Sequence, residues 1–283
     1  MSETKIHLIL ALKKLYPQVS NSKLKLWIKH GRVKVNDTII NVNNFFISKT
    51  DSINVLQKKP LQQKKIGPIS VIFEDRNFII INKPSGLLSV PAKNKPTHAF
   101  GLLKNYYQTK EIYPVHRIDR GTSGLLLFAK GKSSKKYFDE IFFNHSINRE
   151  YVAIIEGHLK EKQGTWDLYL KEKQNLKVEV VSPTYFQAER SITHYEVLKT
   201  STCFSYIKLR LETGKKHQIR VHCSHAGHPI LGDKLYGSHI NPIQRIALHA
   251  YSLEFIHPIT KKPIKFIAPL PKQFEALGFF FHN

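Results

Sequence analysis

One stretch of sixteen residues constrains this chain more than any other, because residues 115–130 read VHRIDRGTSGLLLFAK. Its first half carries charge and turn residues, and its second half is an apolar run from Leu125 to Ala129. Gly121 and Gly124 bracket a Thr-Ser pair, so the polar half predicts a tight loop that leads into a buried strand. Such a loop places one carboxylate, Asp119, between two arginines at the mouth of a rigid element.

The chemistry available to Asp119 follows from its charged neighbours. A carboxylate that cations keep ionised can act as a nucleophile or as a general base. The same local pattern also fits a salt bridge within a loop, which is the commoner fate of an aspartate beside an arginine. The local sequence therefore leaves both a catalytic and a structural interpretation open.

The net charge points to the class of partner. The 283 residues include 44 lysines and arginines against 21 acidic residues, a net charge of +23. This excess favours a polyanionic partner, with nucleic acid first and a membrane surface second. No long basic amphipathic helix that could lie on a membrane is evident, so no membrane partner is expected. The hydrophobic content of 41% is that of a globular protein.

The cysteines and the first residues bear on the compartment. Cys203 and Cys223 have no paired spacing, which argues against a disulfide framework and favours a reducing environment. The first residues do not follow the pattern of a signal peptide, and no apolar run is long enough to span a bilayer. We therefore expect a cytoplasmic protein.

A basic, proline-flanked segment, KKPLQQKKIGP at 58–68, predicts a linker. We expect an N-terminal unit at 1–58, a linker at 59–68 and a C-terminal domain at 69–283. The N-terminal unit should contain a helix at 6–15, a second helix at 23–30 and a strand. The predicted details are a cap at Ser20-Asn21-Ser22, a helix stop at Gly31 and strand residues Val33 and Val35.

Positive charge is concentrated in this N-terminal part. Residues 1–65 contain thirteen lysines and arginines against three acidic residues. Five of the basic residues crowd the corner formed by the second helix, its turn and the strand, which suits contact with RNA or DNA. These five are Lys23, Lys25, Lys29, Arg32 and Lys34.

Strand patterns dominate the C-terminal domain and do not alternate regularly with helices, which predicts an α+β fold with a largely antiparallel sheet. Ser133 and Ser134 are predicted to cap a helix that has one aromatic face. A second helix is expected at 217–226, with Gly227 as its stop. The predicted strands are 71–73 and 78–81 in a hairpin, then 151–156, 193–198 and 206–211.

Five motifs in this order resemble the RluA-type pseudouridine synthases. They are FEDRNFIIINKPSGLLSVP, HRIDRGTSGLLLFAK, REYVAIIEGH, LETGKKHQIRVH and GHPILGDKLYG, and together they run from about Ile69 to Pro271. The N-terminal unit resembles, more weakly, the small ribosomal-protein-type RNA-binding domain known as the alpha-L motif. The resemblance implies a mostly antiparallel mixed-sheet catalytic domain preceded by a small α/β RNA-binding domain.

The resemblance also implies an activity, the isomerisation of uridine to pseudouridine in structured RNA. Asp119 takes the role of the catalytic carboxylate, either as a nucleophile at the sugar or as a base that removes a ribose proton. Arg220 takes the role of the cation beside that carboxylate, and Tyr151 that of the tyrosine that packs on the target base. No atoms other than a proton are exchanged, so neither a cofactor nor a metal is expected.

RNA is the expected partner, with large-subunit ribosomal RNA first, transfer RNA second, and a ribosomal subunit precursor as a further form of the substrate. No protein partner is expected to be required. Arg117 is expected to fill the stack that the flipped uridine leaves. The side chains expected to contact RNA are His116, Arg117, Arg120, Lys23, Lys25, Lys29, Arg32, Lys34, Lys215, Lys216 and His217.

Alternative functions are weaker on the same sequence. The histidines around Cys223 lack a second paired ligand motif, and Cys223 falls on an apolar helix face, so packing is favoured over zinc binding. Neither a nucleophile elbow nor a Walker loop is present. Two rivals stay open, a non-catalytic RNA-binding or ribosome-assembly protein and a nuclease that uses histidine and aspartate. An enzyme that acts on transfer RNA, alone or together with ribosomal RNA, is the alternative within the family.

Overall fold

The structure, a computed structural model, describes residues 5–29, 31–36, 38–42, 44–56, 64–92, 97–174 and 177–278. The elements of its N-terminal part are β1 (Ile6–His7), α1 (Leu8–Leu15), α2 (Asn21–Lys29), β2 (Val33–Val35), β3 (Thr38–Ile40), β4 (Phe46–Ile47) and β5 (Ile53–Val55). The remaining elements are β6 (Lys65–Ile66), β7 (Ile69–Glu74), β8 (Phe78–Lys83), α3 (Ala99–Tyr107), β9 (Ile112–Pro114), β10 (Ser123–Lys130), α4 (Lys132–Phe143), β11 (Asn148–Glu156), β12 (Gln163–Glu172), β13 (Val178–Val181), β14 (Glu189–Thr200), β15 (Phe204–Leu211), α5 (Gln218–His225), a 3₁₀ turn (Lys234–Tyr236), β16 (Leu248–Ile256), β17 (Pro263–Ile267) and α6 (Lys272–Glu275).

The N-terminal elements follow the sequence prediction, but α1 begins two residues later and α2 two residues earlier than predicted. The first helix begins at Leu8, because the preceding β1 pairs with β4. The second helix is capped as predicted, since the hydroxyl of Ser20 accepts a hydrogen bond from the amide of Lys23 at 3.3 Å. Gly31 follows with a φ of +63°, and β2 then pairs with β3 and β5. The last residue predicted for the second helix, position 30, lies outside the described residues.

The predicted linker reaches too far toward the C-terminus. Lys65–Ile66 forms β6, which pairs antiparallel with β7 across a tight turn. Gly67 has a φ of +56°, and this turn lets Ile66, 4% exposed, fold back beside Ile69. The sequence between 57 and 63 lies outside the described residues.

One large sheet forms the C-terminal part. Its strand order is β13-β12-β14-β15-β11-β16-β10-β8-β7-β6, with β17 paired to β16 and β9 to β10. Within the described ranges every strand pair is antiparallel except β10 with β16. The predicted mostly antiparallel α+β fold is therefore confirmed. The predicted hairpin is also confirmed, with β7 and β8 as its strands.

The strand after the Asp119 loop is central and buried, as its apolar run predicts. Leu125 to Ala129 are all 0% exposed. At the start of this strand Gly124 has a φ of +110°, and a Cβ there would lie 2.2 Å from the carbonyl oxygen of Ala250. Only glycine permits β10 to approach β16 so closely.

Of the two helices predicted in the C-terminal domain, one has a wrongly predicted start and the other is confirmed. The predicted caps Ser133 and Ser134 are wrong, because α4 begins at Lys132 after Gly131, which has a φ of +79° and makes no side-chain cap bond. The second predicted helix is confirmed as α5, and Gly227 follows it with a φ of +82°. No helix of the described residues is long and apolar enough to cross a membrane.

Candidate active site

The loop that carries Asp119 is fixed by the segment that follows β8. The hydroxyl of Ser89 donates to the carbonyl oxygen of Ile118 at 2.7 Å and accepts from the amide of Ile118 at 3.2 Å. The amide of Gly86 donates to the carbonyl oxygen of Arg120 at 2.7 Å. Because hydrogen bonds hold the backbone on both sides of Asp119, this residue sits on a rigid support.

The carboxylate of Asp119 contacts a buried arginine that a second carboxylate also holds. Arg220, on α5, donates from Nε and Nη2 to the two carboxylate oxygens of Asp233 at 2.7 and 2.8 Å. Its Nη1 donates to Oδ2 of Asp119 at 3.2 Å. The side chain of Asp233 is 1% exposed, whereas that of Asp119 is 24% exposed. Arg220 is thus anchored by Asp233, and Oδ1 of Asp119 accepts no hydrogen bond from a described residue.

The two carboxylates keep this arginine charged. Burial disfavours the cation, but the hydrogen bonds and charge of Asp233, and then of Asp119, outweigh burial and raise the pKa of Arg220 above its usual value. The guanidinium also lies over the ring of Tyr236, with 4.8 Å between its central carbon and the ring centroid. The structure thus places a permanent cation beside the carboxylate of Asp119.

His217 lies close to the other oxygen of Asp119. Its backbone has a φ of +54°, in the left-handed region, directly before α5. Its Nδ1 is hydrogen-bonded to the hydroxyl of Tyr236 at 2.7 Å, and its Nε2 lies 3.9 Å from Oδ1 of Asp119. Burial lowers the pKa of His217, although the charge of Asp119 opposes this shift. His217 is therefore placed as a neutral neighbour of the carboxylate at neutral pH.

Tyr151 and Arg149 lie on β11 and line the same cleft. Burial raises the pKa of the Tyr151 phenol to about 12, with Arg149 opposing and Asp119 adding to the shift. The phenol therefore keeps its proton at neutral pH, and its hydroxyl makes no hydrogen bond to a described residue. Arg149 donates from Nη2 to the carbonyl oxygen of Glu212 at 3.2 Å, which holds a second cation near the tyrosine.

The cleft has a volume of about 350 Å³, within the range of pockets that hold small ligands. His116 forms part of its wall, because its Nε2 accepts the amide of Leu127 at 2.9 Å and its ring stacks on Phe142 at 4.7 Å. Burial, and then the charge of Arg149, lowers the pKa of His116 to about 3. His116 therefore offers RNA a neutral ring and no positive charge.

The two arginines next to Asp119 in sequence form no ion pair with it, so the local salt-bridge interpretation of Asp119 is wrong. Arg117 is exposed and lines the cleft. Arg120 is also exposed and donates from Nε to the carbonyl oxygen of Gly86 at 3.0 Å. The cation at Asp119 is instead Arg220, as the family resemblance implies.

The two lysines before His217 are already paired with carboxylates. Lys215 contacts Glu189 at 2.7 Å, and Lys216 contacts Glu172 at 2.5 Å. Exposed pairs of this kind are worth little, so a phosphate can displace the carboxylate at small cost. Of the two lysines, Lys215 lines the cleft.

The basic residues of the N-terminal unit lie on α2, its turn and β2. Lys23, Lys25 and Lys29 are exposed on α2, and Lys34 is half-buried within β2. Arg32 donates from Nε and Nη2 to the carbonyl oxygen of Leu56 at 3.1 and 2.9 Å. Its guanidinium also lies 4.7 Å from the centre of the Trp27 ring, so Arg32 has a structural role besides its charge.

Sequence reasoning missed Asp233, Tyr236 and Arg149 as members of the site. The first two lie in the motif GHPILGDKLYG, which the sequence analysis singled out without assigning a role to any of its residues. A buried arginine is stabilised by a carboxylate partner, and this preference is the signal that could have identified Asp233.

The histidine-rich region around α5 is packed through hydrogen bonds. His222 bonds through Nε2 to the hydroxyl of Ser191 at 2.8 Å, and His228 bonds through Nδ1 to the carbonyl oxygen of Glu156 at 2.9 Å. Cys223 is 0% exposed, in agreement with its predicted place on an apolar helix face. Across the ranges that the structure describes, no three histidine, cysteine or acidic side chains cluster closely enough to hold a metal ion.

Known proteins share this fold. The chain is similar in structure to human RNA pseudouridylate synthase domain containing 1, with a TM-score of 0.63 and 23% identity over 75% of this chain and 87% of that one. It is similarly related to human RNA pseudouridylate synthase domain containing 4, with a TM-score of 0.62 and 23% identity over 75% of this chain and 94% of that one. Identities this low support the fold alone.

Sequence comparison supports more than the fold. The family model for RNA pseudouridylate synthase matches residues 77–225. The RNA pseudouridine synthase YhcT of Bacillus subtilis is 32% identical over 92% of this chain and 88% of its own length. Ribosomal large subunit pseudouridine synthase D of Haemophilus influenzae is 32% identical over 94% of this chain and 88% of its own length. The chain therefore belongs to the RNA pseudouridylate synthase family, in its RluA-type branch, and is an RNA pseudouridine synthase.

Proposed function

We propose that this enzyme isomerises specific uridines of large-subunit ribosomal RNA, with Asp119 as the catalytic carboxylate. One observation carries the assignment of Asp119. Its Oδ2 is held by a buried, permanently charged Arg220, whereas its Oδ1 accepts no hydrogen bond from a described residue, and Asp119 lines the cleft. A carboxylate oxygen on a rigid loop can reach a sugar without the cost of rearranging the site.

The reaction requires that the bond between ribose C1′ and base N1 breaks and that C1′ then bonds to C5 of the same base. Asp119 supports either of two routes. Its oxygen can form a bond to C1′ as N1 leaves, and that bond breaks when C5 attacks C1′. Alternatively, Asp119 can remove the proton from C2′ as N1 leaves so that a glycal forms, and it returns this proton to C2′ when C5 adds to C1′. In both routes the base turns over, C5 bonds to C1′, and the proton on C5 is lost while N1 gains one.

Arg117 is proposed to replace the flipped uridine in the RNA stack, and Tyr151 is proposed to pack on the flipped base. A uridine in folded RNA is stacked, so it must leave the stack to reach Asp119. Arg117 is exposed at the cleft, and its planar guanidinium can replace the missing base in the stack. Tyr151 offers an aromatic face to the flipped base, and its hydroxyl is free to relay the C5 proton. Since the pKa of Tyr151 is about 12, it relays a proton only through a partner and does not act as a standing base.

The choice of RNA rests on the relatives and on the N-terminal unit. Several relatives are named as ribosomal large subunit pseudouridine synthases and match 94% of this chain. The lysines on α2 suit the RNA-binding role that the alpha-L resemblance implies. The proposed division is an N-terminal RNA-binding unit at 1–58, a linker at 59–68 and a catalytic domain at 69–283, and β6 is added to the catalytic domain. Transfer RNA and a ribosomal subunit precursor remain the alternative substrates, and the cytoplasm is the proposed location.

The test is tritium release from RNA labelled at C5 of uridine. Ribosomal and transfer RNA from cells that lack this protein are incubated separately with the wild type and with Asp119→Asn. We expect tritium release from ribosomal RNA with the wild type and none with Asp119→Asn. The position of the modified uridine is then mapped. Release by Asp119→Asn would refute the role of Asp119, and release from transfer RNA alone would refute the choice of substrate.

Two readouts separate the rival functions within the same experiment. A nuclease shortens the RNA, which a denaturing gel shows directly. A non-catalytic binding protein retains RNA on a filter but releases no tritium from free RNA or from ribosomal subunits.

Arg220→Ala tests the role of Arg220 in the same assay. Wild-type activity and an unchanged pH profile in this variant would mean that Arg220 is a structural cation only.

A further inference from the structure

A second cavity adjoins the loop that carries Asp119 and shares no lining residue with the cleft. Its volume is about 650 Å³. It is bounded by the end of β8 with the turn after it, by the first residue of β10, and by the segments 243–245 and 269–271. Two cations, Lys83 and Arg245, lie in its wall. The role proposed above for Asp119 uses neither of them.

Lys83 is a buried ammonium without a carboxylate partner. It is 0% exposed, and its Nζ donates to the carbonyl oxygens of Pro84, Leu87 and Arg120 at 3.0, 2.7 and 3.3 Å. Burial, and then the charge of Arg245, lowers the pKa of Lys83 to about 7, although the charge of Asp119 opposes this shift, so Lys83 is partly protonated at neutral pH and a bound anion would favour its charged form. Carbonyl oxygens satisfy its hydrogen-bonding groups but do not neutralise its charge.

Arg245 also lacks a carboxylate partner, and one of its three nitrogens makes no hydrogen bond to a described residue. Its Nε donates to the carbonyl oxygen of Ile246 at 3.0 Å, and its Nη2 donates to that of Leu248 at 2.9 Å and to the hydroxyl of Ser123 at 2.7 Å. Nη1 donates to no described residue, and it is not among the buried polar atoms that lack a partner. Nη1 is therefore the nitrogen of Arg245 that is left for a ligand in the cavity that this residue lines.

Two neighbouring cations that share no counter-ion favour an anion. A buried charge without a partner is costly, and a second charge of the same sign increases that cost. Among the described residues, no acidic side chain forms an ion pair with Lys83 or Arg245. Nη1 of Arg245 keeps both of its N–H groups, which can donate charge-assisted hydrogen bonds to the oxygens of a phosphate.

We propose that this second cavity binds a phosphate group on Nη1 of Arg245, with the charge of Lys83 behind it. The group is either a phosphodiester of bound RNA or free phosphate, because the recognition chemistry is the same. The hydroxyl of Ser123 joins Arg245 to the start of β10, and Lys83 holds the carbonyl of Arg120. An anion here would thus lie against both ends of the loop that carries Asp119.

The test introduces a carboxylate at the edge of the cavity. Gln244 is exposed, lines the cavity and precedes Arg245 in the chain, so Gln244→Glu supplies internally the anion that the cavity lacks. Gln163→Glu makes the same change on the exposed face of β12, outside the cavity, and is the matched control. Neither residue belongs to the cleft, and neither substitution removes a buried group.

The first arm titrates inorganic phosphate at constant ionic strength and follows the ³¹P resonance. We expect saturable binding by the wild type and Gln163→Glu, and roughly tenfold weaker binding by Gln244→Glu, as a nearby like charge predicts. The second arm measures RNA affinity against salt concentration. If the anion is an RNA phosphate, Gln244→Glu should lower the slope of log K against log salt by about 0.7–0.9 relative to Gln163→Glu.

The two arms identify the source of the phosphate. A loss in the first arm alone assigns the cavity to free phosphate, and a loss in the second alone assigns it to the RNA backbone. Losses in both arms mean that the cavity accepts free phosphate as well as a phosphate of the RNA backbone. If Gln244→Glu behaves like Gln163→Glu in both arms, the cavity does not bind phosphate. Because the first arm uses no RNA, its result is independent of whether Asp119 is catalytic.

Discussion

Replacing in turn the two carboxylates that contact Arg220 should separate stability from catalysis. Asp233→Asn removes a charge that is 1% exposed and accepts two hydrogen bonds from Arg220, at 2.7 and 2.8 Å. Breaking a buried pair from one side costs about 3–5 kcal/mol. Asp119→Asn removes one hydrogen bond at 3.2 Å from a side chain that is 24% exposed, and it leaves Arg220 paired with Asp233. Its cost should be about 1 kcal/mol or less.

Asp233→Asn should cost more stability than Asp119→Asn, but Asp119→Asn should cost more turnover than Asp233→Asn. Asp119→Asn should lower the rate of pseudouridine formation by at least roughly 10²–10⁴-fold, because it removes the carboxylate that we propose acts on the sugar. Asp233→Asn keeps that carboxylate and should retain more activity at a temperature where it is still folded. Urea unfolding gives the free energies of unfolding, and tritium release from uridine labelled at C5 gives the rates.

A matched control is available on the surface. Asp167 accepts two hydrogen bonds from Arg190, at 2.9 and 2.6 Å, but its side chain is 42% exposed. Asp167→Asn should therefore leave the free energy of unfolding nearly unchanged and leave turnover intact. The reasoning fails if Asp119→Asn destabilises the protein as much as Asp233→Asn does, or if the two variants lose turnover equally.

Three further predictions concern the cleft, the buried histidines and the centre of the sheet. Tyr151→Phe should lower kcat with little change in KM, measured by tritium release under saturating RNA; an unchanged kcat would confine the hydroxyl to packing. Burial lowers the pKa of His116 and His249 to about 3 and that of His222 to about 4, so the unfolded state binds more protons below pH 6.5. Stability should then fall as the pH drops from 6.5 toward 4, by up to about 4 kcal/mol per pH unit, and His222→Gln should remove about a third of that slope in urea unfolding. Gly124→Ala should cost more than about 3 kcal/mol by the same method, since its Cβ would meet a carbonyl oxygen at 2.2 Å, and a cost near 1 kcal/mol would contradict the geometry.

Features that depend on neighbours in sequence could be predicted from the sequence. The polar loop and buried β10 follow from a turn pattern and an apolar run, and α2 follows from its cap and spacing. The antiparallel character of the sheet follows from strands that do not alternate with helices. In each case the deciding interaction lies within a few residues of the pattern.

Features that depend on distant contacts could not be derived in this way. Asp119 and Arg220 are 101 positions apart, and nothing in the local sequence of either residue identifies the other. Local reasoning paired Asp119 with its neighbouring arginines, and the family resemblance was needed to name Arg220. The short strand β6 was missed because it extends over Lys65–Ile66 alone and depends on pairing with β7.

The arrangement of Asp233 explains why one arginine can serve two carboxylates without disabling either. A guanidinium that met Asp119 with two hydrogen bonds would occupy both of its oxygens and would oppose their reaction with a sugar. Asp233 occupies Nε and Nη2 of Arg220, so only Nη1 remains for Asp119. The carboxylate of Asp119 therefore has a cation beside it while one of its oxygens stays open. A lysine could not bind two carboxylates in this way, because an ammonium is a point charge without the separate nitrogens of a planar guanidinium.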